Sequence, residues 1–419
     1  MTFGNRLTPW SPADLSEPLP ARIVGPVMRM FLTTLIASLL AAVGLTAAAA
    51  PSSAVPMCRG QAATIVGTDG DDDLSGTPLL TDVVFLGKGN DTYHGDSSND
   101  VICGGQGKDV ISGGDGDDIV AGGSGNDRIG GGNDDDKVFG GSGDDTIVEA
   151  DGDDKIAGNG GKDLLTYVNV PVGITVDGAT ATITGAGSDE YGQVELVRGT
   201  RQVDTMQGGP EDDAFDGLAG ADVIDGAGGN DLLIGRGATL RGDAGGDILQ
   251  PRGGSAYGGG DVDLLKLSRG ATGHGGGAND HISFGKGGSA GFGDGGNDLF
   301  LLTIRKATGD ADGGKGADGL NLQKVKTGAL IDLSAGTARW KDGSLTLASI
   351  NLVRGSRGND RITGTSGRDF LDGKAGDDVL RGLGDDDILS GSKGFDRADG
   401  GPGGDICGTE VAVNCEIHS

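Results

Sequence analysis

The amino-acid sequence predicts an all-β protein: a parallel β-roll or β-helix solenoid built from nonapeptide repeats, with two short β insert segments. Three observations carry this. From about residue 86 to 165 the chain repeats in register, as GGQGKDVIS from Gly104, GGDGDDIVA from Gly113, GGSGNDRIG from Gly122, GGNDDDKVF from Gly131 and GGSGDDTIV from Gly140. Self-similarity at a fixed short period marks stacked identical units and outranks local propensity. Glycine supplies 87 of 419 residues and aromatics only 4%, so the bulky side chains of a conventional core are scarce and the interior must be thin. An apolar residue falls at the eighth position of each unit, alone or paired as in Val110-Ile111, Ile119-Val120 and Val379-Leu380. A disordered acidic polymer has no use for such a phased residue.

In chain order, residues 1–50 read as a signal-peptide region. An apolar run, residues 31–50, follows Arg29 and exits through Pro51 and small residues, as a cleavable export signal does. The 27 residues before Met28 are long for its leading region, which makes Met28 or Met30 the expected start. An uncleaved anchor is the rival reading, and alanine richness with the small-residue exit disfavours it. Residues 51–166 form the first repeat block, opening at Gly67-Thr68-Asp69-Gly70-Asp71-Asp72. Residues 167–207 break the phase. There Ile174-Thr175-Val176 and Ala181-Thr182-Ile183-Thr184 flank Asp177-Gly178, which predicts strand, turn, strand. Residues 208–321 form a looser second block, in which a nine alternates with a seven between Gly226 and Gly258. Residues 322–354 are a second break resembling the first, since both end alike in Leu196-Val197-Arg198-Gly199 and Leu352-Val353-Arg354-Gly355. Residues 355–419 form the third block, six units in phase with a cysteine-containing end.

Each unit joins a glycine-rich turn to an aspartate at its sixth position. Glycines at positions one, two and four permit tight curvature with positive φ, and such a turn points carbonyl oxygens inward. Calcium takes 6 to 8 oxygen ligands, so carbonyls with a carboxylate suit it. The candidate metal ligands are Asp72, Asp91, Asp100, Asp109, Asp118, Asp127, Asp136, Asp145, Asp154 and Asp163 in the first block. Asp222, Asp231, Asp247, Asp298 and Asp318 follow in the second, and Asp360, Asp369, Asp378, Asp387, Asp396 and Asp405 in the third. Turn capping by the aspartate itself would explain one such residue, not nine consecutive units. With two units per coil, Asp118 should stack on Asp136 and Asp127 on Asp145, along opposite sides. Gly95-Asp96-Ser97-Ser98 and residues 252–263 lack the full glycine pattern, so sites there are doubtful and Asp96 is expected to contribute little.

The units resemble the RTX repeats of haemolysin-type calcium-binding proteins, over roughly residues 67–408. The resemblance implies a right-handed coil of 18 residues, Ca2+ bound between turns, and folding after export where calcium is abundant.

Charge and cysteines bound the rest. The net charge is −29, which excludes nucleic acid as a partner, because phosphates demand a basic face. No integral membrane contact is expected once the leader is removed. Cys58, Cys103, Cys407 and Cys415 lie in the exported part and allow three pairings; local pairing, Cys58 with Cys103 and Cys407 with Cys415, would staple the terminal coils. No enzyme is expected. His94, His274, His281 and His418 are scattered, and Gly287-Gly288-Ser289-Ala290-Gly291 lacks the strand–turn–helix context of a nucleophile elbow. The two unphased stretches are too short for a catalytic domain. The expected role is a secreted, extracellular calcium-binding protein acting in structure, at a surface or in a matrix. A polysaccharide-binding or polysaccharide-modifying solenoid is the alternative, with a cell-surface or extracellular polysaccharide as partner. The sequence specifies no oligomeric state.

Overall fold

In each coil the chain turns twice, and each turn delivers it to one of two parallel sheets. The structure is a computed structural model and describes residues 55–418; the signal-peptide region, residues 1–50, lies outside them. Among the described residues no element is helical. One sheet is a ladder of 19 short strands running from Asp73–Ser75 to Ile417–His418. The other runs from Ile65–Val66 to Val411–Val413. Between the ends and outside the meanders, each strand of the two ladders pairs with those one coil before and after: Ile129 registers with Ile111 on one side and Ile147 on the other. Neither ladder closes on itself.

The eighth position is the core. Ile111, Val120, Ile129, Val138 and Ile147 are at most 2% exposed, each contributing about 1.5–3 kcal/mol by burial. They stack at 18-residue intervals, alternately from the two sheets. Where bulk is needed Tyr93, Phe215, Phe284 and Phe300 fill the same seam.

Each break is a three-stranded antiparallel meander inserted into one sheet only. In the first, Thr175–Asp177, Thr182–Thr184 and Ser188–Gly192 pair in order. Its last strand pairs in parallel with the preceding coil's Lys155–Gly160, and its first strand with the following coil's Thr205–Gln207. The second break repeats the pattern with Ala329–Asp332, Thr337–Trp340 and Gly343–Ala348. The predicted hairpin at Asp177-Gly178 is present, and a third strand that periodicity could not reveal completes it. Each meander adds two strands, about 10 Å, to one face of the solenoid.

The seven-residue spacing also has a structural cause. In the middle coils the turn leaving one sheet shortens, so that Leu232–Gly235 is followed at once by Thr239–Asp243. Ala238, Ala271 and Ala307, all fully buried, close these short turns in place of an aspartate. Leu233 therefore stacks on Leu249, 16 residues away. Carboxylates line one edge of these coils but not the other.

Both disulfides are local, as expected. Cys58 joins Cys103 with Cα atoms 5.7 Å apart, and Cys407 joins Cys415 at 5.9 Å.

Candidate metal centres

The sixth-position aspartates are nearly all inaccessible, which is abnormal for a carboxylate. Asp109, Asp118, Asp127, Asp136 and Asp145 are at most 2% exposed. One oxygen of each is accounted for. The Asp118 N–H donates to Asp136 Oδ1 at 2.8 Å, and the Asp127 N–H to Asp145 Oδ1 at 2.8 Å. The same bond climbs both edges of the solenoid at the coil spacing, placing Asp118 with Asp136 and Asp127 with Asp145 as the register requires. Where a ladder ends, a glutamate takes over: Glu195 Oε2 accepts from Asp163 N–H, and Glu410 Oε2 from Asp396 N–H.

The other oxygen has no protein partner. Among the described residues, Oδ2 is buried and unbonded in eighteen sixth-position aspartates. Sixteen are predicted ligands: Asp91, Asp100, Asp109, Asp118, Asp127, Asp136, Asp145, Asp163, Asp222, Asp231, Asp247, Asp298, Asp318, Asp378, Asp387 and Asp405. Asp263 and Asp280 are the two that the sequence reading omitted. Their steps from the preceding aspartate are 16 and 17 residues, but Gly258-Gly259-Gly260 and Gly275-Gly276-Gly277 five residues ahead were a usable signal.

Each orphan oxygen faces a space kept open by its first-position glycine. A Cβ at Gly113 would lie 2.1 Å from Asp118 Oδ2 and 2.3 Å from the Gly131 carbonyl oxygen of the next coil. At Gly122 the corresponding distances are 2.5 Å to Asp127 Oδ2 and 2.6 Å to the Gly140 carbonyl. A carboxylate and a carbonyl thus converge on one cradle, the donor set of a hard cation. The second-position glycine serves the same end: Gly123, at φ 116°, packs against the Gly105 carbonyl one coil back.

Burial raises the carboxyl pKa values, with neighbouring aspartates adding to the effect. Asp118 is pushed up to about 7 and Asp136 to about 8, desolvation outweighing the backbone hydrogen bond. Asp231, Asp263 and Asp378 are pushed up to about 7 for the same reasons. A buried charge of this kind is stable only when paired, and no salt bridge from a described side chain reaches these carboxylates.

Two turns at or just before the start of each block differ. At their second position stands Ser, Thr or a glycine outside the left-handed region, and its N–H reaches the carboxylate. Thr68 N–H bonds Asp72 Oδ2 at 2.6 Å, with the hydroxyl at 3.0 Å. Thr77 N–H bonds Asp82, Thr200 bonds Asp204 and Gly209 bonds Asp213. Ser356 closes on Asp360 through both N–H and hydroxyl at 2.7 Å, and Thr365 closes on Asp369. The predicted ligands Asp72 and Asp360 are therefore already engaged by their own turns, whereas Asp369 is engaged through Oδ2 alone and its Oδ1 stays buried and unbonded. Asp154 is a further departure. Glu149 replaces its first-position glycine; both Glu149 carboxylate oxygens are buried and unbonded, and burial, with Asp154, Asp189 and Asp136 nearby, drives the Glu149 pKa well up. Asp396 keeps the ladder bond, accepting from Asp378 N–H.

These two classes should separate experimentally. Asp127→Ala is expected to raise the calcium midpoint of folding and lower its cooperativity. Asp360→Ala should leave that midpoint unchanged while costing about 1–3 kcal/mol through the unsatisfied Ser356 groups. Calcium titration followed by far-UV circular dichroism reads both, and equal midpoint shifts would refute the division.

His274 and His281 form no joint site. They lie in opposite sheets, and His274 stacks between Tyr257 and Phe292 with Nδ1 3.0 Å from Asp294 Oδ2. Ser289 is buried within a strand, so the elbow-like motif is not one.

A family model of the RTX calcium-binding nonapeptide repeat matches residues 81–111, 94–129, 112–147, 150–166, 198–233, 348–380 and 381–408. The unmatched residues 234–347 hold the shortened coils, where the structure nonetheless continues the orphan aspartates through Asp318. No curated protein matches the chain. Repeats of this family bind Ca2+, and the buried aspartate stacks have the donors for it. The chain is an all-β parallel solenoid that carries RTX calcium-binding nonapeptide repeats in multiple copies along its length.

Proposed function

We propose that the protein is exported and folds outside the cell as calcium fills the eighteen orphan turns, giving a rigid, non-catalytic element of a surface or matrix. The observation that carries this is the unpaired Oδ2, repeated along the chain. Deprotonated, these groups are tolerable only with cations beside them. Two disulfides and no free cysteine among the described residues suit an oxidising compartment. The self-closed turns at the head of each block would hold their shape without metal and give the calcium-loaded coils a surface on which to stack.

A second reading, an acidic polysaccharide as partner, is favoured by one feature. Residues 305–368 carry eleven Lys and Arg against six Asp in a chain of net charge −29. There the second meander opens a groove of about 450 Å³ lined by Arg339, Lys341, Arg361, Trp340 and Asn359, with Asp360 and Asp377 lining it as well. One preparation tests both readings. Expressed with its leader, the chain should be recovered outside the cytoplasm without residues 1–50 and with both disulfides formed. Recovery as an intact cytoplasmic chain that binds no calcium would overturn the proposal. Calcium-dependent retention on an acidic polysaccharide, lost in Lys341→Glu, would select the second reading.

A further inference from the structure

The glycine-poor unit at residues 95–100 holds the densest group of carboxylates in the described chain. Ligand oxygens of Asp82, Asp96 and Asp100 lie within 4.8 Å of one another. Asp100 is 1% exposed and Asp82 4%. Oδ2 of both Asp96 and Asp100 is buried without a partner. Asp96 occupies position two, where the other open turns carry a glycine or another left-handed residue; its own backbone is not left-handed, and its carboxylate turns inward. An independent group points to the same spot. Tyr93 is fully buried and its hydroxyl has no partner. A Cβ at Gly76 would lie 2.9 Å from Asp96 Oδ2 and 3.1 Å from Tyr93 Oη, so phenol and carboxylate border one space.

We propose that Asp96, Asp100 and Tyr93 hold a calcium-class ion at the Asp100 turn, with Asp82, already closed by Thr77, adding charge beside it, and that this site is tighter than the other repeat sites and the first to fill. The inference rests on the calcium reading of the array and adds to it a third carboxylate and a phenol that the repeat does not supply. Ligand charge and rigidity set calcium affinity, and both are raised here. Asp82 is held by Thr77 N–H at 2.6 Å and Thr64 Oγ1 at 3.2 Å. Its own N–H donates to Asp100 Oδ1 at 2.8 Å. Ser98 Oγ lies 2.8 Å from Asp96 Oδ1 and 2.7 Å from the Leu80 carbonyl, tying the two coils. The Cys58–Cys103 disulfide clamps the strand that follows Asp100. No Lys or Arg among the described residues pairs with these carboxylates, so their charge awaits an ion. The expectation from the repeat pattern, that Asp96 contributes little, is thereby reversed.

Terbium serves as the probe, because a tyrosine beside it sensitises its emission. In the mature protein, the first equivalents should emit on excitation through tyrosine. Asp96→Asn should weaken that step by about tenfold or more, the scale of losses seen even for residues that only support a ligand. Asp222→Asn should reduce total capacity and leave the first step intact. Tyr93→Phe, which keeps all three carboxylates, should abolish the sensitised emission while directly excited terbium still reports binding. An unchanged first step in Asp96→Asn, or unchanged sensitised emission in Tyr93→Phe, would overturn the site. A wild-type protein that bound neither terbium nor calcium would overturn the whole array, a distinct outcome visible without any variant.

Discussion

Chelating calcium at neutral pH is expected to unfold the mature solenoid, and acidifying the chelated protein is expected to restore part of the fold. The driving term is the set of orphan carboxylates. Their folded pKa values lie above the ordinary aspartate value, about 6 for Asp109 and Asp145, about 7 for Asp118 and about 8 for Asp136. Without metal, the folded state therefore binds more protons than the unfolded state between roughly pH 4 and 8. Stability is fully present below the unfolded value and is lost as pH rises through the folded values. With calcium the sign reverses. The ion requires deprotonated ligands and competes with protons for the same oxygens, so stability should rise with pH across that window. Far-UV circular dichroism between pH 4 and 8, in chelator and in millimolar calcium, should give slopes of opposite sign. Slopes of one sign, or an ordered spectrum in chelator at neutral pH, would refute the account.

The opposed slopes follow from positions that the sequence displayed openly. Ile111, Val120 and Ile129 recur every nine residues because each coil presents the same inward position twice, and their burial was legible from the period alone. So was the stacking of Asp118 on Asp136. What escaped the reading has physical causes. Asp263 and Asp280 were missed because alanine-closed turns shorten the coil, so a strict nine-residue register slips past them. Asp72 and Asp360 share the sixth position with true orphans; their state is decided at position two, where a Ser or Thr brings N–H and hydroxyl onto the carboxylate, and in Asp369 the same contact occupies only one oxygen. The strand Ser188–Gly192 pairs Glu190 with Lys155, 35 residues back, and no periodicity encodes that distance. Asp96 looked like a damaged glycine position, when the vacancy it fills lies between two coils and becomes visible only in three dimensions.

Replacing one first-position glycine by alanine should be among the most damaging single changes, because the methyl would occupy the cradle itself. At Gly113 the added Cβ would meet Asp118 Oδ2 at 2.1 Å and the Gly131 carbonyl at 2.3 Å. Neither neighbour has room to yield. The carbonyl belongs to the backbone of the next coil, and Asp118 is fixed by its Oδ1 bond to Asp100 N–H at 2.7 Å. Overpacking of this kind costs about 1–3 kcal/mol. The displaced carboxylate removes a calcium ligand as well, and in a stacked array the loss is felt by the adjoining coils. Gly113→Ala should therefore lower the urea midpoint in saturating calcium and reduce the calcium stoichiometry. Gly260→Ala is the matched control. That glycine is exposed, adopts no left-handed φ, and has nothing within 4 Å of an added Cβ. It should behave as wild type. Equal urea midpoints for the two variants would mean that the first-position glycines are dispensable and that the cradle drawn from them is wrong.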